Sequence, residues 1–184
     1  GAIVSQDALE KKPSWCHHPN LIAVEDPLEA YLKLAQHHLR RIHPKVIAIT
    51  GSSGKTTVKD MMVTVLSKEK VTQATEKNFN NEIGLCQTLF ALREGTELLV
   101  VEMAMRGLNQ ISLLSTYCQP DIAVVINIGP AHIGLLGSLE AIAQAKCEIF
   151  TGMDRETGVA IINGDDTLLS KTVAASWQGK TVPY

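Results

Sequence analysis

Gly51, Gly54, Lys55, Thr56 and Thr57 stand directly behind the apolar run Val46-Ile47-Ala48-Ile49, in the order expected of a strand, a glycine loop and a helix. That order suits a phosphate chain. Glycines let backbone N–H groups approach phosphate oxygens, and the start of the helix adds the positive end of its dipole. The Lys55 ammonium supplies a mobile cation, and the Thr56 hydroxyl can hold Mg²⁺. The reading is an ATP site made by Gly51, Ser52, Ser53, Gly54, Lys55, Thr56 and Thr57. Its glycines enclose only Ser52-Ser53, whereas the common phosphate loop has a spacer of about four residues. A kinase or GTPase of the common kind would want that longer spacer and a Walker-type Asp, and neither is seen. A plain glycine turn is the bland alternative, but a bare turn has no use for Gly-Lys-Thr-Thr.

Four further groups could join this loop. Glu102 follows the apolar run Leu98–Val101, and a carboxylate at a strand end can take Mg²⁺, which prefers hard oxygen ligands. Taken alone it is equally a capping or solvated glutamate. His132, in Asn127-Ile128-Gly129-Pro130-Ala131-His132, sits just past the next apolar run, where a lone histidine is more often structural. Lys146 lies on an expected helix and would ordinarily be assigned to the surface. Asn78, Asn80 and Asn81 put amide donors and acceptors on one short segment, which suits a polar peptide or sugar-phosphate substrate or, more blandly, a turn with a helix cap.

The elements that must position these groups alternate. Strands are expected over 46–49, near 71, and over 98–101, 122–126 and 159–162. Helices are expected over 55–66, 81–92, 110–117, 139–153 and 165–175. The strands are continuous apolar runs without in–out alternation, so they are covered on both faces. The pattern predicts an α/β fold with a doubly wound, mostly parallel sheet. Ligands bind beyond the carboxyl ends of such strands, where Gly51, Glu102, Asn127 and Gly129 fall. Two short strand-like pieces at 2–5 and 21–24 come earlier. A helix begins at Asp26-Pro27, with Asp as N-cap and Leu28, Tyr31, Leu32, Ala35 and Leu39 as its apolar face. The expected division is 1–25 as the end of a small α/β N-terminal domain, 26–44 as a linker helix and 45–184 as an incomplete ATP-binding domain. The opening strand, and a first residue that is not Met, suggest a missing N-terminal part.

Composition bounds the rest. The 184 residues are 45% hydrophobic and 20% charged with a formal net charge of −2, which gives no basic face for nucleic acid. No apolar run approaches the roughly 18 residues of a membrane span. Four cysteines are scattered without a Cys-x-x-Cys pair, so they read as reduced thiols of a cytoplasmic protein, not as a zinc site or disulfide framework. His17-His18 and His37-His38 are adjacent pairs, a poor geometry for a shared metal on a helix, and read as surface residues.

Taken together, Gly51–Thr57, the strand-end Glu102, the loop His132 and the helix pair Ala145-Lys146 resemble the Mur ligase family of ATP-dependent amide-bond-forming enzymes. The resemblance implies the Mur central-domain fold, ATP and two Mg²⁺ ions as cofactors, and Lys55, Glu102, His132 and Lys146 as catalytic residues. It further implies metal ligands at Thr56, Glu102, His132 and Lys146, the last as a carbamate. Asn78-Phe79-Asn80-Asn81-Glu82-Ile83-Gly84 resembles the Asn-x-Asn-Asn-x-Ile-Gly signature of one branch. That branch implies UDP-N-acetylmuramoyl-tripeptide and D-alanyl-D-alanine as partners, joined through an acyl phosphate, with Asn78, Asn80 and Asn81 binding substrate. The sequence departs from that pattern at Lys77, where glycine is expected, and at Cys86, Ala104 and Gly134. The full-length enzyme is expected to be a monomer, and the 184-residue chain alone to be inactive, as the base-contacting segment and closing domain of the family are not in it. Another Mur-type ligase, a folylpolyglutamate synthase, or a non-catalytic nucleotide-binding fragment are the alternatives.

Overall fold

The computed structural model describes residues 1–131 and 133–184. Strands β3 (Lys45–Thr50), β4 (Thr72–Ala74), β5 (Leu98–Glu102), β6 (Ile122–Val125), β7 (Val159–Ile162) and β8 (Lys180–Pro183) form one six-stranded sheet in the order β4-β5-β3-β6-β7-β8. Every pairing in it is parallel. The continuous apolar runs are explained by this burial: Ala48, Ile49, Leu99, Val100, Ala123 and Val125 have no measurable exposure. A separate pair, β1 (Ala2–Ser5) and β2 (Leu21–Val24), is also parallel. Its connection carries a short helix, α1 (Gln6–Lys11), that the polar sequence there did not announce.

The helices divide unequally between the two faces. One face packs on α2 (Pro27–Ile42), α4 (Glu82–Phe90), α5 (Gln110–Cys118), α7 (Leu139–Cys147) and α8 (Thr167–Ser176), with the short α6 (Ile133–Leu136) reaching it through Leu136, around a core that includes Leu32, Leu85, Leu99, Ile111, Ile142 and Leu169. Among the described residues the other packs on α3 (Lys55–Leu66) alone, through Val58, Met62, Val63 and Leu66 against Ile47, Ile49, Val100 and Val124. Right-handed crossovers account for this. Only β3 to β4 steps toward one edge of the sheet, while every later connection steps toward the other, so a single helix falls on the opposite face. Of the α2 face expected from its sequence, Leu32, Ala35 and Leu39 are buried in the main core and Tyr31 packs against it, whereas Leu28, in the first turn, is exposed; Asp26 is the N-cap and Pro27 stands at the first turn as expected.

Several boundaries move. The strand expected near Val71 begins at Thr72, and Val71 itself is exposed. The helix expected over 139–153 stops at Cys147 and passes through a 3₁₀ turn, Glu148–Phe150. Ser115 on α5 is the cause: its hydroxyl donates to the Ile149 carbonyl at 2.6 Å and accepts from the Gly152 N–H at 3.0 Å. β8 was not expected at all. Among the described residues no helix is long and apolar enough to cross a membrane.

Candidate active site

The carboxyl ends of three adjacent strands make the site. β3 delivers the glycine loop and then α3; β5 on one side delivers Glu102, and β6 on the other leads to Asn127. The loop needs glycine at both ends. Gly54 caps α3 with φ +77°, and a Cβ on Gly51 would stand 3.0 Å from the Cβ of Ile126. Asn127 fastens the loop from across the sheet: its Oδ1 accepts from the N–H groups of Ser52 at 2.9 Å and Ser53 at 3.1 Å. The Ser52 hydroxyl donates to the Gly129 carbonyl at 3.1 Å and accepts from the Gly129 N–H at 2.8 Å. The two loops therefore form one rigid rim. Lys55 Nζ, 2.8 Å from the Gly51 carbonyl oxygen, is held over the mouth of its own loop.

Glu102 is 3% exposed and receives two side-chain donors, the Thr56 hydroxyl at 2.8 Å on Oε2 and the Asn80 amide at 2.9 Å on Oε1. Its backbone N–H donates to the Thr75 hydroxyl at 3.1 Å. No ion pair among the described residues includes it. A buried carboxylate met only by neutral donors is under-compensated, and the adjacent Thr56 oxygen makes the pair a fitting hard-oxygen site for Mg²⁺. The described residues hold no group of three or more His, Cys, Asp or Glu able to share an ion, and two protein oxygens suit a cation that usually keeps water and phosphate oxygens as its other ligands.

Lys146 is not the surface lysine its helix would suggest. It is 2% exposed, belongs to no ion pair among the described residues, and has its ammonium pulled down to about 8, first by burial and then by the charge of Lys55. An amine that loses its proton this readily can act as a nucleophile near neutral pH. His132 lies outside the described residues.

The three asparagines have different surroundings. Asn80 turns inward to Glu102, and its carbonyl accepts from the Ala104 N–H at 3.0 Å. The Asn81 side chain caps α4, accepting from the Gly84 N–H at 2.9 Å. Asn78 is exposed. All three line a polar cavity of about 380 Å³ shared with Glu82, Arg106 and Gln110. Lys77 sits just before them with φ +49°, the left-handed region that explains why glycine is expected there. The sequence reading missed what Asn127 and Thr75 do, although Asn127 stands at a strand end beside the loop, a signal that could have marked it. The cysteines are free, and burial pushes Cys86 up to about 11 and Cys118 and Cys147 up to about 12.

Residues 49–182 match the Mur ligase middle domain. The chain is 46% identical over 161 residues to a UDP-N-acetylmuramoyl-tripeptide--D-alanyl-D-alanine ligase of Synechocystis sp., and 47% identical, also over 161 residues, to the ligase of that name from Bacillus subtilis; each match covers 88% of this chain and 35% of the relative. The chain thus spans about a third of the length of these curated relatives. Among solved structures it is similar to MurF from Acinetobacter baumannii, with a TM-score of 0.84 at 33% identity over 89% of this chain and 36% of that one. It is similar to MurF ligase from Thermotoga maritima in complex with ADP, with a TM-score of 0.83 at 32% identity over 90% of this chain and 38% of that one. A folylpolyglutamate synthase from Mycobacterium tuberculosis shares the fold, at 17% identity and a TM-score of 0.67 over 85% of this chain and 46% of that one.

Proposed function

From the premise that this chain belongs to the Mur ligase family, we propose that it is the ATP-binding segment of a cytoplasmic, monomeric enzyme that joins D-alanyl-D-alanine to UDP-N-acetylmuramoyl-tripeptide in peptidoglycan precursor synthesis. In this reading residues 1–25 end a substrate-binding domain, 26–44 link it to the ATP-binding domain, and 45–184 belong to that domain. The observation that carries the proposal is the hydrogen bond from Asn80 to Glu102, which ties the asparagine segment of one branch to the machinery of ATP chemistry. Identity of 46–47% to relatives named for that reaction supports the same branch over a folylpolyglutamate synthase.

The tripeptide carboxylate would attack the γ-phosphorus of ATP, giving an acyl phosphate and ADP. The amine of D-alanyl-D-alanine would then attack the acyl carbon, and phosphate would leave as the amide forms and the nitrogen loses its proton. The backbone N–H groups of Gly51–Thr57 would hold the phosphate chain and Lys55 would balance its β and γ charge. Thr56 and Glu102 would hold one Mg²⁺, and His132 and Lys146 a second. These ions would offset the negative charge that gathers on the transferred phosphoryl group. An ammonium at Lys146 would repel the neighbouring cations, so its neutral amine would add CO₂ and release a proton, leaving a carbamate whose oxygens are ligands. Asn78, Asn80 and Asn81 would orient the muramyl peptide.

The test is the full gene product with ATP, Mg²⁺, UDP-N-acetylmuramoyl-tripeptide and D-alanyl-D-alanine, read by mass for the pentapeptide product. Product is expected from the native protein and none from Lys55→Ala. Near-native turnover by Lys55→Ala would overturn the assignment of the loop, and an absence of product from the native protein would overturn the reaction.

A further inference from the structure

Three charged side chains are buried among the described residues: Glu102, Lys146 and Lys59. The first two belong to the site above, and the third is not among its ligands. Lys59 lies on α3, 5% exposed, where Val58, Met62, Val63 and Leu66 already provide the packing against the sheet. Burying an ammonium there costs more than an apolar side chain of similar length would, so the position is set by what the ammonium holds. Its Nζ donates to the Thr75 carbonyl at 2.9 Å, and the Asp60 carboxylate lies 3.2 Å away on the solvent side.

Thr75 is the joint of the site. It is buried directly after β4, its N–H donates to the Val100 carbonyl at 2.9 Å, and its hydroxyl accepts the Glu102 N–H. From Thr75 the chain runs on to Asn80, whose amide reaches the Glu102 carboxylate. Thr56, which reaches the other oxygen of that carboxylate, lies three residues before Lys59 on the same helix. Both cation ligands are thus referenced to Thr75, Glu102 through its backbone and Thr56 through Lys59. We infer that Lys59 is a positioning residue that sets the separation of Thr56 and Glu102, and with it the affinity for the divalent cation of the nucleotide. The inference rests on the ATP-site reading given above.

The test compares Lys59→Met, Lys59→Arg, Thr75→Val and Asp60→Asn in the full gene product, measuring half-saturating Mg²⁺ for ATP-dependent turnover, kcat and Tm. Supporting partners of metal ligands typically change affinity by roughly 10–100-fold, so Lys59→Met should raise half-saturating Mg²⁺ about tenfold with a smaller change in kcat. Lys59→Arg should recover most of that loss because it restores a donor to the Thr75 carbonyl, and Asp60→Asn should leave it unchanged. Should Lys59→Met not fold, Thr75→Val, which cuts the same path beside Glu102, must show the Mg²⁺ shift. Unchanged Mg²⁺ dependence in a folded Lys59→Met, or equal losses in the Met and Arg variants that track Tm, would overturn the inference. If the native protein shows no Mg²⁺-dependent ATP turnover, the ATP-site reading itself fails, which is a separate result.

Discussion

Burial, not residue type, separates the lysines of this chain. Lys55 is legible from its place in Gly-Lys-Thr-Thr, whereas Lys146 sits on a helix whose sequence says only that a lysine is there. The fold puts it at 2% exposure within the field of Lys55. With the carbamate proposed for it, Lys146→Ala should be nearly inactive, since a metal ligand is removed, while Tm stays near native. Added short carboxylates should restore part of the loss by supplying the missing oxygen. Lys146→Arg cannot form the carbamate, so full activity in that variant would sink the idea. The asparagines were legible as a polar cluster but not in their separate roles. Asn80 finds Glu102 from 22 positions away, through a strand pairing that spacing does not reveal, while the Asn81 cap is a local event that sequence does announce. Lys77 shows the reverse: the expected glycine was a statement about backbone, and the left-handed φ remains although the glycine does not.

At the scale of elements, the buried strands were readable and the exposed one was not. β3 and β5 are apolar because they are covered on both faces, and β6 and β7 because one face lies in the main core, while every residue of β8 is exposed, and Pro183 is tolerable there because an edge strand has N–H groups that need no partner. The end of α7 was unreadable for another reason, as Ser115, which fixes it, comes from a different helix. The join between α4 and the asparagine segment gives a test whose sign is informative. A Cβ on Gly84 would lie 2.5 Å from the Cα and carbonyl carbon of Phe79. In an open helix Gly→Ala stabilises by about 1 kcal/mol, but here Gly84→Ala must push Phe79 and Asn80 away and should cost about 1–3 kcal/mol. Because Asn80 holds Glu102, half-saturating Mg²⁺ should rise as Tm falls. A higher Tm with native kinetics would show that the segment does not depend on this contact.

Over the whole molecule, the doubly wound class could be read from the alternation of strands and helices, but the uneven cover of the two faces could not, because it follows from strand order. With α3 alone on its face, Ile122 and Ile161 are only partly buried, and with Ile47, Val58, Met62 and Leu66 they line an apolar groove of about 400 Å³. Met61 and Val65 stand at its rim, 64% and 65% exposed. Contiguous apolar surface of this kind drives association in water, and at roughly 25 cal/mol per Å² even partial covering of the groove is favourable. The 184-residue chain by itself should therefore bind a hydrophobic dye and self-associate as its concentration rises, both weakened by Met61→Glu and Val65→Lys. Since both residues are largely exposed, these substitutions should change stability by no more than about 0.5 kcal/mol, so that a loss of association is not a loss of fold. Sedimentation and dye fluorescence across a concentration series decide the matter, and a monodisperse, dye-silent chain at high concentration would mean that α3 already seals this face.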